Sequence, residues 1–121
     1  MKKRVLVVDD DPDIRETVRL VLEDEGYAVE EAGDGAAALA LLRAAPSRPD
    51  VILLDLMMPI MNGWQFCQYR ATSAALQRVP VVLITARHGV APPAGVSEVL
   101  LKPFDLDALS AVITRALTTG G

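Results

Sequence analysis

The chain predicts an α/β fold: a doubly wound, five-stranded parallel sheet with helices on both faces. Three observations carry this. Short aliphatic runs alternate with stretches of helical period along its 121 residues. The runs are almost continuously apolar, as strands covered on both faces are. Right-handed crossovers between parallel strands then leave few topologies, of which the doubly wound sheet is the natural one. Length sets one domain. With 51% hydrophobic and 4% aromatic residues, the core must be aliphatic.

Residues 4–8, Arg4-Val5-Leu6-Val7-Val8, read as the first buried strand. Asp11 is the N-cap of the next helix and Pro12 its first turn. Ile14, Val18, Val21 and Leu22 fall on one face, so this helix runs to about Glu25, where Gly26 stops it. A second strand covers residues 27–32, and an Ala/Leu-rich helix covers residues 35–44. Pro46 and Pro49 break the chain before the third buried strand, Val51-Ile52-Leu53-Leu54. Asn62-Gly63 opens a third helix that ends near Ser73. The fourth strand spans residues 79–84, with Pro80 at its start. A short fifth strand spans residues 98–101. Asp105 caps a last helix whose inner face is Leu106, Leu109, Val112, Ile113 and Leu117. The tail Thr118-Thr119-Gly120-Gly121 has nothing apolar to bury and is expected to be loose.

Composition also excludes functions. Twelve basic and sixteen acidic residues leave a net charge of -4, against a surface that binds nucleic acid directly. One cysteine, Cys67, rules out an internal disulfide and a four-cysteine zinc site. The apolar stretch after Met1-Lys2-Lys3-Arg4 is too short for a signal peptide. No run approaches the ~18 to 20 apolar residues of a membrane span. A cytoplasmic location with no membrane contact is expected.

In doubly wound sheets the site lies beyond the carboxyl ends of the strands. The first strand ends in Asp9-Asp10-Asp11, the third in Asp55, the fourth in Thr85 and the fifth in Lys102. Clustered Asp9, Asp10 and Asp55 would repel, driving one to hold a proton unless a cation intervenes. Mg2+ suits carboxylate and backbone oxygens and often bridges to phosphate. A carboxylate so placed can attack a phosphoryl group and form an acyl phosphate. Lys102 and the metal would stabilise the spread negative charge, and Thr85 would bond a phosphoryl oxygen.

Plainer roles compete with these. The Asp9-Asp10-Asp11 triplet also suits a helix cap and its dipole, and Asp11 is assigned to capping outright. Asp55, between Leu54 and Leu56, is harder to explain structurally, because an unpaired acid is costly to bury. Thr85 or Lys102 alone would read as structural. His88 lies in a Pro/Gly-containing loop and is expected to face solvent. Cys67 reads as an inert core thiol, and Trp64 as packing at the start of the third helix. Met57, Met58 and Met61 read as filling a loop against the sheet.

These segments resemble the receiver domain of two-component response regulators (the CheY-like superfamily). The resemblance rests on Val5-Leu6-Val7-Val8-Asp9-Asp10-Asp11, Asp55-Leu56-Met57-Met58-Pro59-Ile60-Met61-Asn62-Gly63, Thr85-Ala86 and Lys102-Pro103-Phe104. It covers residues 1–121, with no output domain among them. The resemblance implies a flavodoxin-like sheet of order 2-1-3-4-5. It implies Asp55 as phosphoacceptor, fed by a phosphohistidine on a sensor histidine kinase or a histidine phosphotransfer protein. Asp10, Asp55 and the backbone carbonyl of Met57 would ligate Mg2+ directly, with Asp9 acting through water. Thr85 and Lys102 would bind the phosphoryl oxygens. Such a domain is a signalling module, not an enzyme acting on outside substrates, and passes on a change of shape to a downstream protein or an output domain.

Two departures stand out. Val99 occupies the place, three before the lysine, where receivers usually carry an aromatic residue. The connection from Thr85 to Lys102 is also shorter than usual, by at least about one helical turn of ~3.6 residues. Pro92-Pro93 and Gly95 disfavour a helix there, so the family's fourth helix is expected to be shortened or lost. The output face is then expected to be atypical. Two other functions stay open on sequence alone. One is a hydrolase resembling haloacid dehalogenase-type phosphatases, with Asp9 as nucleophile. The other is a binding scaffold that is never phosphorylated.

Overall fold

The computed structural model describes residues 2–45 and 47–119. Pro46, with its expected chain break, and Met1, Gly120 and Gly121 lie outside the described residues. The elements run β1 (Arg4–Val8), α1 (Pro12–Asp24), β2 (Ala28–Ala32), α2 (Gly35–Ala44), β3 (Val51–Asp55), α3 (Gly63–Thr72), β4 (Val81–Thr85), β5 (Val96–Leu101) and α4 (Leu106–Thr119). All strand pairs are parallel, in the order β2-β1-β3-β4-β5.

The sequence explains this order of burial. β3 (VILLD) and β4 (VVLIT) are buried at every position, as central strands covered on both faces must be. Successive side chains then feed two cores. Leu6, Val8, Ile52, Leu54 and Leu83 pack with Phe66 and Cys67 of α3 and Leu39 of α2. Val5, Val7, Leu53 and Ile84 pack with Val18 and Leu22 of α1 and Leu109 and Ile113 of α4. Truncating one of these leucines to alanine costs about 2–5 kcal/mol.

Each helix begins on a side-chain cap. Asp11 accepts from the N–H groups of Asp13 and Ile14, and Asp34 from that of Ala37. Asn62 and Gln65 form a reciprocal capping box at α3. Asp105 accepts from Ala108 N–H at 2.7 Å. Gly26, with φ of 98°, ends α1 in the left-handed region that glycine enters freely.

Among the described residues, no helix lies between β4 and β5. Residues 86–95 cross as an irregular connection, with Gly89 and Gly95 at positive φ. Arg70 of α3 braces the turn between α3 and β4, beneath this connection. Its Nε and Nη2 donate to the Val79 carbonyl at 3.0 and 2.7 Å, and Nη2 also donates to the Gln77 carbonyl at 2.9 Å. A Cβ on Gly95 would lie 2.6 Å from Arg70 Nη1, so glycine lets the chain pass over the guanidinium.

Several expectations change. β4 starts at Val81 and includes Thr85, because Pro80 lacks the N–H a ladder needs. β5 starts at Val96, two residues early, and β2 begins at Ala28. Leu106 is 48% exposed and leaves the inner face of α4 for a surface hollow it shares with Ile14 and Phe104. Thr118 and Thr119 continue α4 instead of fraying. Met58 and Met61 pack on the core, but Met57 turns outward and is 49% exposed. His88 is exposed, Cys67 is buried with its thiol pushed up by burial, and Trp64 is half-buried against the α3 core.

Candidate functional site

β1 and β3 are adjacent and in register, Val8 beside Leu54, so their polar ends emerge side by side. Asp9 follows β1, and Asp55 is the last residue of β3. One carboxylate oxygen from each of Asp9, Asp10 and Asp55 lies within 4.8 Å of the others. Asp9 and Asp55 are buried, whereas Asp10 is exposed. Three carboxylates of this spacing form an all-oxygen donor set suited to a hard cation such as Mg2+, which takes oxygen ligands.

Lys102 reaches across from the end of β5. Its Nζ lies 2.8 Å from Asp9 Oδ2 and 3.6 Å from Asp55 Oδ2. Thr85 places its hydroxyl at the end of β4, accepting from Arg87 N–H at 3.1 Å and keeping its own proton free to donate. Thr85 and Lys102 are tied directly, because Lys102 N–H donates to the Thr85 carbonyl at 2.8 Å. The strand ends thus bring Asp9, Asp10, Asp55, Thr85 and Lys102 onto one rim. Met57 joins its edge, donating its N–H to Asp55 Oδ1 at 3.4 Å.

Electrostatics distinguish the acids. Burial pushes the Asp55 carboxyl up to about 6, and the Asp9 charge adds to the rise. Lys102 and the Met57 N–H oppose it without cancelling it. For Lys102, burial pulls the pKa down, but the hydrogen bond to Asp9 and the charges of Asp9 and Asp55 outweigh it. The ammonium is therefore held more firmly protonated than usual. Both Asp9 oxygens are engaged, Oδ1 by Asp11 N–H at 2.9 Å and Oδ2 by Lys102. Asp55 is held more loosely by contacts of 3.4 and 3.6 Å.

Two glycines fix the loop beyond Asp55. A Cβ on Gly63 would sit 2.9 Å from both the Asp55 carbonyl oxygen and Leu56 Cα. Gly35 N–H donates to the Met61 carbonyl at 3.1 Å, and a Cβ there would lie 2.7 Å from Met61 Cγ. Ile60 sits between them at φ 67°, under a Met61 N–H to Pro59 carbonyl bond of 2.7 Å. A β-branched residue at positive φ is strained, and here the strain lies within five residues of Asp55.

One residue at the site carries no signal in the sequence. Arg15 of α1 donates through Nη1 to the Asp9 carbonyl at 2.5 Å and through Nε to Glu31 of β2 at 3.2 Å. It pins the peptide that joins Asp9 to Asp10. An arginine in an amphipathic helix ordinarily reads as a solvated face, so only the fold exposes this role.

Residues 5–114 match the response regulator receiver domain family. The chain belongs to that family. This receiver is 44% identical over 117 residues to the response regulator MprA of Mycobacterium sp. (strain KMS), covering 92% of this chain and 49% of that protein. It spans about half the length of the curated relatives it matches. Among solved structures, chemotaxis response regulator CheY4 of Vibrio cholerae superposes with a TM-score of 0.88 at 33% identity, over 97% of the receiver and all of that chain. The response regulator TrrA of Thermotoga maritima, solved with Mg2+ and BeF, gives 0.83 at 29% identity over 95% and 99% of the two chains. The sheet order is therefore that of a response regulator receiver domain. No helix among the described residues is long and apolar enough to cross a membrane.

Proposed function

We propose that the receiver accepts a phosphoryl group on Asp55 from a phosphohistidine, carried by a sensor histidine kinase or a histidine phosphotransfer protein, in a Mg2+-dependent reaction. The observation that carries this is the convergence of Asp9, Asp10 and Asp55 with Lys102 between two of them. The looser Asp55 carboxylate attacks phosphorus, and the P–N bond to the donor imidazole breaks, its electron pair returning to nitrogen. An acyl phosphate results. Asp10, Asp55 and the Met57 carbonyl would hold Mg2+, with Asp9 behind a water, and the ion would neutralise charge on the phosphoryl oxygens. Lys102 moves from Asp9 toward one phosphoryl oxygen, and Thr85 donates to another. The engagement of both Asp9 oxygens weighs against a phosphatase with Asp9 as nucleophile. The domain is a signalling module acting in the cytoplasm, with catalysis limited to its own phosphotransfer and slow dephosphorylation.

The signal leaves by a face other than the usual fourth helix and fifth strand. Val99 shares the face of its register partner Leu83 and cannot act as an aromatic relay for Thr85. Amide exchange with and without beryllofluoride tests this. Changes are expected at α1, at the β3–α3 loop or at α4, and a dominant change confined to residues 86–95 would overturn it.

The chemistry is tested with Mg2+ and acetyl phosphate, followed by mass spectrometry of the base-labile adduct. One phosphoryl group is expected on Asp55, absent in Asp55→Asn. Label on Asp9, or none on the wild type, would refute the assignment.

A further inference from the structure

The opposite pole of the sheet carries a feature of its own. At the N-terminal ends of β1, β3 and β4, Lys3, Arg48, Asp50 and Arg78 line a cavity of about 310 Å³. Pro49 and Pro80, both buried, form part of its wall. Five-residue strands at ~3.3 Å per residue hold it roughly 16 Å from the Asp55 rim. The phosphoryl chemistry makes no use of it.

The cations here are positioned by the fold. Arg48 donates through Nη1 to the Ala75 carbonyl at 2.8 Å, which fixes its guanidinium. Arg4 ties down the loop that carries Arg48, donating through Nη1 to Ser47 Oγ at 2.7 Å and to the Arg48 carbonyl at 3.2 Å. Arg78 stands in the turn between α3 and β4, and the carbonyls on either side of it, Gln77 and Val79, both accept from the buried Arg70. A buried guanidinium is costly, and here it fixes the backbone that presents Arg78.

Their charge is unanswered. Among the described residues, the side chains of Lys3 and Arg78 make no hydrogen bond or ion pair. Asp50 is the one acid on the lining, and its Oδ2 is occupied by the Arg4 N–H at 2.7 Å. Three cations less one acid leave two positive charges around one hollow, in a chain of net charge -4. Cations gathered in this way repel one another unless an anion joins them.

We infer that this cavity is an anion site that takes a ligand carrying a diphosphate group. Two guanidinium forks from separate segments suit two phosphoryl groups, each held by paired N–H donors, and Lys3 adds a point charge. The volume lies at the small end of ligand pockets, about 300–1,000 Å³, and is roomy for a single phosphate ion. Binding here does not depend on the phosphoacceptor role of Asp55.

The probe is inorganic pyrophosphate, added in chelator so that no metal draws it to the acid rim. Amide shifts at Lys3, Arg48, Arg78 and Val79 are expected to map it. A Kd below about 1 mM is expected, with orthophosphate at least about tenfold weaker. Arg78→Gln and Lys3→Gln, at exposed and unpaired positions, should each weaken pyrophosphate about tenfold. Neither should lower the melting temperature of the ligand-free domain, and both should shrink the rise that pyrophosphate gives the wild type. Asp55→Asn should bind as the wild type does. Methyl diphosphate separates the two sources of the group: retained affinity identifies an organic diphosphate, and its loss identifies the free ion. Pyrophosphate shifts that map to Asp9, Asp10 and Lys102, orthophosphate binding as tightly as pyrophosphate, or indifference to Arg78→Gln would overturn the proposal.

Discussion

At the scale of single residues, the site shows which roles a sequence can reveal. Asp55 stood out because a charge ended an otherwise apolar run, and burial of that charge needs a reason. Lys102 and Thr85 were legible only as a set, through their shared position after strands. Arg15 and Arg70 were not legible, because each acts by donating to a backbone carbonyl in another element, and no periodicity encodes such a contact. Arg15 gives a direct prediction. Arg15→Gln frees the Asp9 carbonyl and the peptide that orients Asp10. Mg2+ affinity, followed by Trp64 emission, should fall about tenfold, the equivalent of losing roughly 1.4 kcal/mol of positioning. Arg15→Lys should recover part of it, whereas thermal unfolding in chelator should barely move. Equal affinity in all three proteins would leave Arg15 a structural brace only.

At the scale of elements, the central strands were the easiest to read, since β3 and β4 are apolar at almost every position. Helix ends were equally plain, because Asp11, Asn62, Asp105 and Gly26 each carry a local capping or stop chemistry. Strand limits moved by one or two residues, β4 beginning only after Pro80 and β5 reaching back to Val96. The β3–α3 loop depends on Gly63 more tightly than its position suggested. Gly63→Ala would drive a methyl group into backbone atoms at 2.9 Å, with no flexible side chain to yield. A cost above about 2 kcal/mol is expected in urea unfolding, together with slowed phosphorylation. A near-neutral effect would mean that the loop can shift without penalty. The connection at residues 86–95 has the opposite character. Apart from the Arg87 N–H bonded to Thr85, its amides should exchange rapidly while those of β4 are protected.

At the scale of the whole molecule, the acid rim is a source of instability until a cation neutralises it. The folded-state pKa of Asp55 is raised from 3.8 to about 6, so the native protein binds more protons than the unfolded chain between those values. Stability should therefore be intact below about pH 4 as far as Asp55 is concerned, and be lost as pH rises through about 6, by on the order of 2–3 kcal/mol without metal. Asp55→Asn removes the titrating group. In chelator, it should be more stable than wild type at pH 7 and lose this advantage near pH 4. Mg2+ should raise the wild-type melting temperature more than that of the variant. A difference between the two proteins that stays flat with pH would contradict the raised carboxyl.

The loss of a helix between β4 and β5 also makes residues 86–95 a graft site. The sheet pairs β4 with β5 in parallel register with no helix spanning the connection, whose inner contacts are Val90 on the core and Gly95 over Arg70. A foreign helical segment inserted near Gly89, at an exposed turn, would lengthen a closure whose entropy grows only slowly with loop length. The same phosphoacceptor chemistry could then be wired to a readout of the experimenter's choosing.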